Sequence, residues 1–158
     1  MYLYHFGLGE LPFTLTPNTN FYLPMAMHDE ALAVISIALQ TGEGFIKVVG
    51  EVGTGKTLLC RKLLNEIPEH FVTAYIPNPY LNPDELRRAV AVELGIKQAQ
   101  RISAQLLTQR IQTRLLELHS QGHSVVLILD EAQALPEDSL EALRLFTNLE
   151  TETRKLLQ

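Results

Sequence analysis

The sequence predicts an α/β fold: a three-layer sandwich with a parallel sheet between helices. Three observations carry this. Short β-rich runs alternate with stretches whose apolar residues recur at the helical period. Residues 45–57, FIKVVGEVGTGKT, join an apolar run to a glycine-rich turn and then to a helical pattern. Residues 124–131, SVVLILDE, hold five consecutive aliphatics and end in two acids. Such a run reads as a strand buried on both faces, as in a parallel sheet.

Taken in order, residues 1–27 form an aromatic, proline-rich arm without clear periodicity. Phe6, Leu8, Phe13, Leu15, Phe21 and Tyr22 are too many large apolar groups for a disordered tail. Pro12, Pro17 and Pro24 break any helix there, so an extended arm packed on the domain is expected. The domain itself is expected over residues 28–158. Residues 28–40 place Ala31, Val34, Ile35, Ala38 and Leu39 on one helical face, and Gly42 and Gly44 end that helix. The first strand is expected from Phe45, and a helix runs from the glycine-rich turn to about Ile67, where Pro68 stops it. FVTAYI at 71–76 is a second strand, ended by Pro77. Asn82 caps a helix that has Pro83 at its first position, carries Leu86, Ala89, Val90 and Leu94, and closes at Gly95. Ser103 opens a longer helix through Leu107, Ile111, Leu115 and Leu118 to Gly122. The buried strand follows, and a last helix runs from Pro136 to about Glu150.

Gly50, Gly55, Lys56 and Thr57 fit G-x-x-x-x-G-K-[ST], the phosphate-binding P-loop. The chemistry asks for these residue types. The loop (Gly50, Glu51, Val52, Gly53, Thr54, Gly55) must curl so that backbone N–H groups point at phosphate oxygens, and glycines allow that curl. The helix that follows, from Lys56, Thr57 and Leu58, offers free N–H groups and a positive dipole end to the same phosphates. Lys56 supplies a cation between the outer phosphates, and the Thr57 hydroxyl is a Mg²⁺ ligand. Ligands in open α/β sheets bind at the carboxyl ends of strands, which places Asp130 and Glu131 in the same crevice. Asp130 is then the second Mg²⁺ partner, and Glu131 the general base for a water attacking the terminal phosphate. Asn78, just past the second strand, is either a switch that restrains Glu131 or a turn residue in Pro77-Asn78-Pro79. The arm either lines the adenine pocket or packs plainly. Arg61 and Arg144 are ion-pair or interface residues.

Composition bounds the rest. At 158 residues, 46% hydrophobic and 20% charged, the chain is one ordinary globular domain. A net charge of −5 carries no footprint for nucleic acid. A single cysteine, Cys60, excludes an intrachain disulfide and a cysteine-based metal site, and its helical position suits packing. The five histidines lack metal-ligand spacing. No signal peptide and no membrane-spanning run is visible, so a cytoplasmic protein is expected.

The arm's FGL…PFTLTP pattern, the segment GEGFIKVVGEVGTGKTLLCRKLL and the run LILDEAQALPEDSLEALRLFTNLET resemble the general secretion pathway protein A family of AAA+ ATPases, its MSHA pilus biogenesis branch in particular. The resemblance spans essentially the whole chain. It implies an ATP-hydrolysing homo-oligomer, peripheral at the bacterial inner membrane, that helps assemble a type IV pilus or type II secretion machine with inner-membrane components. Gly50, Gly53, Gly55, Lys56 and Thr57 match Walker A, and Asp130 and Glu131 match Walker B. Similar proteins continue past residue 158 into a strand with the sensor-1 position, then an arginine finger and a helical lid. That strand lies between the P-loop strand and the Asp130 strand, and residues 154–158 supply only its first positions. A fragment of a longer protein is therefore expected, lacking the ~10³–10⁵ in rate that an arginine finger contributes. Two alternatives stay open. One is a nucleotide-dependent protein-binding module without significant turnover. The other is a DNA-transposition helper ATPase, which the acidic net charge disfavours.

Overall fold

The computed structural model describes residues 2–12, 19–150 and 155–158. The chain opens on one helical turn, α1 (Tyr2–His5), and a 3-10 turn at Thr19–Phe21 precedes α2 (Ala26–Thr41). The P-loop leads into α3 (Lys56–Glu66), then β1 (Phe71–Ile76), α4 (Pro83–Glu93), α5 (Ala104–Ser120), β2 (Ser124–Leu129) and α6 (Glu137–Thr147).

The strands β1 and β2 pair in parallel, in register from Phe71–Ser124 to Ile76–Leu129. A further segment extends the sheet beyond β2. Val125 bridges Leu157 in parallel, Leu127 N–H donates to Gln158 O at 2.8 Å, and Gln158 N–H donates to Val125 O at 3.0 Å. So β2 is flanked on both edges, as its aliphatic run requires. Its side chains alternate between two cores. Val125 packs with α4, α5 and α6 around Leu86, Val90, Leu107, Ile111, Leu115 and Phe146. Val126 and Ile128 pack with α2 and α3 around Ile35, Leu39, Leu59 and Leu63. This is the expected α/β sandwich: helices, parallel sheet, helices.

Local chemistry sets the element ends. Asn82 Oδ1 accepts from Asp84 N–H and Glu85 N–H, and Glu85 Oε2 accepts from Asn82 N–H at 2.9 Å, a complete capping box. Ser103 caps α5 through Leu106 N–H. Gly42 takes φ +80° to end α2, a conformation that costs other residues about 1 kcal/mol. Arg88 pins the connection between α4 and α5 by donating to Ala99 O at 2.6 Å and to Ile102 O. Ser139, fully buried, donates to Leu81 O at 2.6 Å and fastens α6 to the loop after β1.

Two expectations need correction. Residues 45–49 do not form a strand: they are irregular, and Phe45 and Val49 are 62% and 77% exposed. The run has strand propensity, but a strand also needs a neighbour for its N–H and C=O groups. Among the described residues, β1 and the 155–158 segment take the two edges of β2, and nothing pairs with 45–49. The arm is likewise not wholly extended or packed. Residues 2–5 close a helical turn upstream of Pro12, and Tyr4 and Phe6 are exposed. The turn's hydrogen bonds are local, such as Leu8 N–H to Leu3 O at 2.8 Å, and draw no side chain inward. Phe13, Leu15 and Pro17 lie outside the described residues, as do residues 151–154.

Candidate functional site

The glycine-rich loop at residues 50–55 curls. Gly53 and Gly55 both hold positive φ, +82° and +84°, a conformation that favours glycine. Gly50 is held by close approach instead: a Cβ there would meet Thr54 Oγ1 at 2.8 Å. Thr54 Oγ1 donates to Glu51 O at 2.8 Å and ties the loop across its own width. Val52, at the tip, is fully exposed. Gly55 is the N-cap of α3 and has no side chain with which to cap it. The first N–H groups of α3, at Lys56, Thr57 and Leu58, therefore remain the helix's free donors, the arrangement that attracts an anion. The Lys56 ammonium lies along the loop, donating to Gly50 O at 2.9 Å and Glu51 O at 2.7 Å. Its charge is thus stored over the curl, within reach of whatever the curl binds.

The second motif stands at the end of β2. Asp130 N–H donates to Ile76 O at 3.1 Å, which fixes the backbone to β1. Asp130 is buried, with 7% of its surface exposed, and its Oδ1 accepts Glu131 N–H at 2.9 Å. The Tyr75 hydroxyl, from β1, donates to Oδ2 at 3.5 Å. Glu131 is exposed and sits in the left-handed region, φ +51° and ψ +37°. Its Oε2 accepts a hydrogen bond from Gln133 Nε2, across the short 3-10 turn Ala132–Ala134.

α3, which carries Lys56 and Thr57, shares one core with Tyr75, whose hydroxyl reaches Asp130. Burial, and then the Asp130 carboxylate, push the Cys60 thiol up to about 11. Burial first and Asp130 next also raise the Tyr75 phenol. Cys60 is one turn along α3 from Lys56. Asn78, by contrast, turns back on its own loop. Its Oδ1 accepts Tyr80 N–H at 3.3 Å, as in an Asx turn, and no hydrogen bond links it to Glu131; that expectation gives way to the turn alternative. Arg144 pairs with Glu141 at 2.7 Å on the exposed face of α6. Among the described residues no three His, Cys, Asp or Glu side chains group as a metal cage. The hydroxyl of Thr57 and the carboxylate of Asp130 still suit Mg²⁺, which keeps several waters and draws its other ligands from phosphate.

Three site residues escape a reading of the sequence. Tyr75 is the penultimate residue of β1, on the face that packs with α3, but nothing in the strand pattern pairs it with Asp130. Gln133 lies two residues past Glu131 and becomes its partner only through the backbone reversal at Glu131. His28 donates from Nε2 to Thr54 O at 2.9 Å, across 26 residues of sequence, and no local pattern marks it.

Residues 39–158 match the family described as AAA domain. Over all 158 residues the chain is 42% identical to the "General secretion pathway protein A" of Aeromonas hydrophila, and it spans 29% of the length of that relative. No solved structure matches. Among the described residues, no helix is long and apolar enough to cross a membrane.

Proposed function

The chain belongs to the AAA domain family, and on that premise we propose that it binds ATP with Mg²⁺ and hydrolyses it. One observation carries the proposal: a glycine curl opens onto an uncapped helix N-terminus, with the Lys56 ammonium stored on the carbonyls of Gly50 and Glu51. The loop from Gly50 to Gly55 cradles the phosphates, together with the N–H groups of Lys56, Thr57 and Leu58. Lys56 exchanges its two carbonyl partners for phosphate oxygens. Thr57 and Asp130 hold Mg²⁺, which neutralises charge on the outer phosphates. Tyr75 and Glu131 N–H keep the Asp130 carboxylate oriented for that task. Glu131 takes the proton of the attacking water once Gln133 releases its carboxylate.

We assign residues 1–27 to an arm whose last part, Thr19 to Tyr22, lies against the P-loop helix. Asn65 Nδ2 donates to Thr19 Oγ1 at 3.3 Å, and the Lys62 ammonium stands 5.1 Å from the Tyr22 ring centre. That aromatic edge suits the adenine base. The likeness to the Aeromonas protein supports a setting in secretion; a role in pilus assembly, as a homo-oligomer peripheral to the inner membrane, is part of the proposal. A second possibility, a nucleotide-responsive binding module with little turnover, draws support from the Glu131–Gln133 contact, which occupies the proposed base.

Two variants separate the steps. Lys56→Ala is expected to abolish binding of a fluorescent ATP analogue; unchanged affinity would refute the P-loop assignment. Glu131→Gln is expected to bind ATP normally and to lose turnover by ~10²–10⁴, the usual worth of a general base. Equal turnover in that variant would remove Glu131 from catalysis. Wild-type binding without measurable turnover, with and without added partner proteins, would favour the binding module.

A further inference from the structure

Resting on the nucleotide-binding proposal, we infer that His28 is a positioning residue for the phosphate cradle, acting from α2 through the peptide bond between Thr54 and Gly55. A carbonyl oxygen only accepts, so the 2.9 Å contact to Thr54 O requires a proton on His28 Nε2. The peptide is planar and trans, and its C=O and N–H therefore point in opposite directions. Tying Thr54 O toward α2 turns Gly55 N–H the other way, away from α2. This matters most at Gly55, because its φ of +84° is held by glycine, whose own preferences specify little. The same ring closes the space beside Gly55. A Cβ on that residue would lie 3.5 Å from His28 Nε2 and 3.6 Å from Cε1. One side chain thus fixes both the direction of the amide and the packing behind it.

His28 is itself well placed to be rigid. It lies in the first turn of α2, with its own N–H donating to Met25 O at 2.8 Å. Its neighbour Asp29 accepts from the Tyr22 hydroxyl at 3.0 Å, and the Tyr22 ring stands 6.2 Å from the imidazole. The residues before α2 are therefore linked to the phosphate loop by one continuous set of contacts, from Tyr22 through Asp29 and His28 to Thr54.

Three substitutions separate hydrogen bonding from packing: His28→Ala removes both, His28→Phe keeps the bulk without the donor, and His28→Gln returns an amide donor near the Nε2 position. We expect His28→Ala and His28→Phe to weaken Mg·ATP and Mg·ADP binding by about three- to tenfold, the worth of one net hydrogen bond, with His28→Gln close to wild type. Competition by inorganic tripolyphosphate, which has no base, should weaken in step. Hydrogen exchange of residues 50–57 without nucleotide should be faster in the Ala and Phe variants and near normal in the Gln variant. Wild-type affinity and wild-type exchange in His28→Phe would overturn the inference. So would weakened nucleotide binding with unchanged tripolyphosphate competition, since His28 would then act on the base. If the wild type binds no nucleotide, the proposed function falls, and the exchange rates alone decide whether His28 orders the loop.

Discussion

The two faces of the sheet are built differently. On the α4–α5–α6 face, Leu86, Val90, Leu107, Ile111 and Leu115 are completely buried, the starts of α4 and α5 are capped by side chains, and Arg88 and Ser139 fasten the connecting loops. On the α2–α3 face fewer side chains are sealed, α2 and α3 lack side-chain caps, and residues 45–52 lie largely exposed. The first face concentrates stability. The second carries the glycine curl proposed to hold phosphate, with Lys56, Thr57 and His28. Both follow from one requirement. A phosphate site needs free N–H groups and open space, and a helix start that must bind a ligand cannot also be capped and covered. Regions with few buried contacts also open at lower free energy, so the proposed phosphate site lies on the face expected to open more easily.

The comparison can be broken from either side. Ile111→Ala, on the sealed face, should cost about 2–5 kcal/mol of unfolding free energy in urea, with transfer and cavity terms acting together. A loss under about 1 kcal/mol would mean that this face is no tighter than the other. Asn82→Ala should cost about 1 kcal/mol by freeing the capped N–H groups of α4. Val49→Ala, on the open face, should stay within about 0.5 kcal/mol, the range of ordinary surface changes. A larger loss would place residues 45–49 in a packed strand in solution. The smallest effect is chemical. In metal-free buffer near pH 7.5, Cys60 should react with maleimide far more slowly than a free thiol, because burial and Asp130 hold its pKa near 11. Alkylation at the rate of an exposed cysteine would show that this part of α3 is not packed on the core in solution.

The sealed face was largely legible in the sequence. Asn82-Pro83, Ser103 and the apolar spacing of α5 are local signals, and each is met by a local structure. β1 and β2 were legible for the same reason, as was the glycine curl, because positive φ selects glycine residue by residue. What was not legible depends on distant partners. Residues 45–49 have the composition of a strand, yet pairing is decided by neighbours in space. Asn78 was readable both as a turn residue and as a switch, and only the position of Tyr80 N–H separates the two. His28 and Tyr75 act on groups 26 and 55 residues away. No period or motif encodes such contacts.

Glu131 leaves a consequence for engineering. Its left-handed backbone, φ +51°, suits glycine or asparagine better than glutamate. Stability and the catalytic role proposed for Glu131 therefore favour different amino acids at this one position. Glu131→Gly and Glu131→Asn should melt at or above the wild-type temperature while losing turnover, and a search guided by thermostability alone would drift toward an inactive protein here. A library intended to preserve activity should hold this codon fixed and seek its gains on the sealed face.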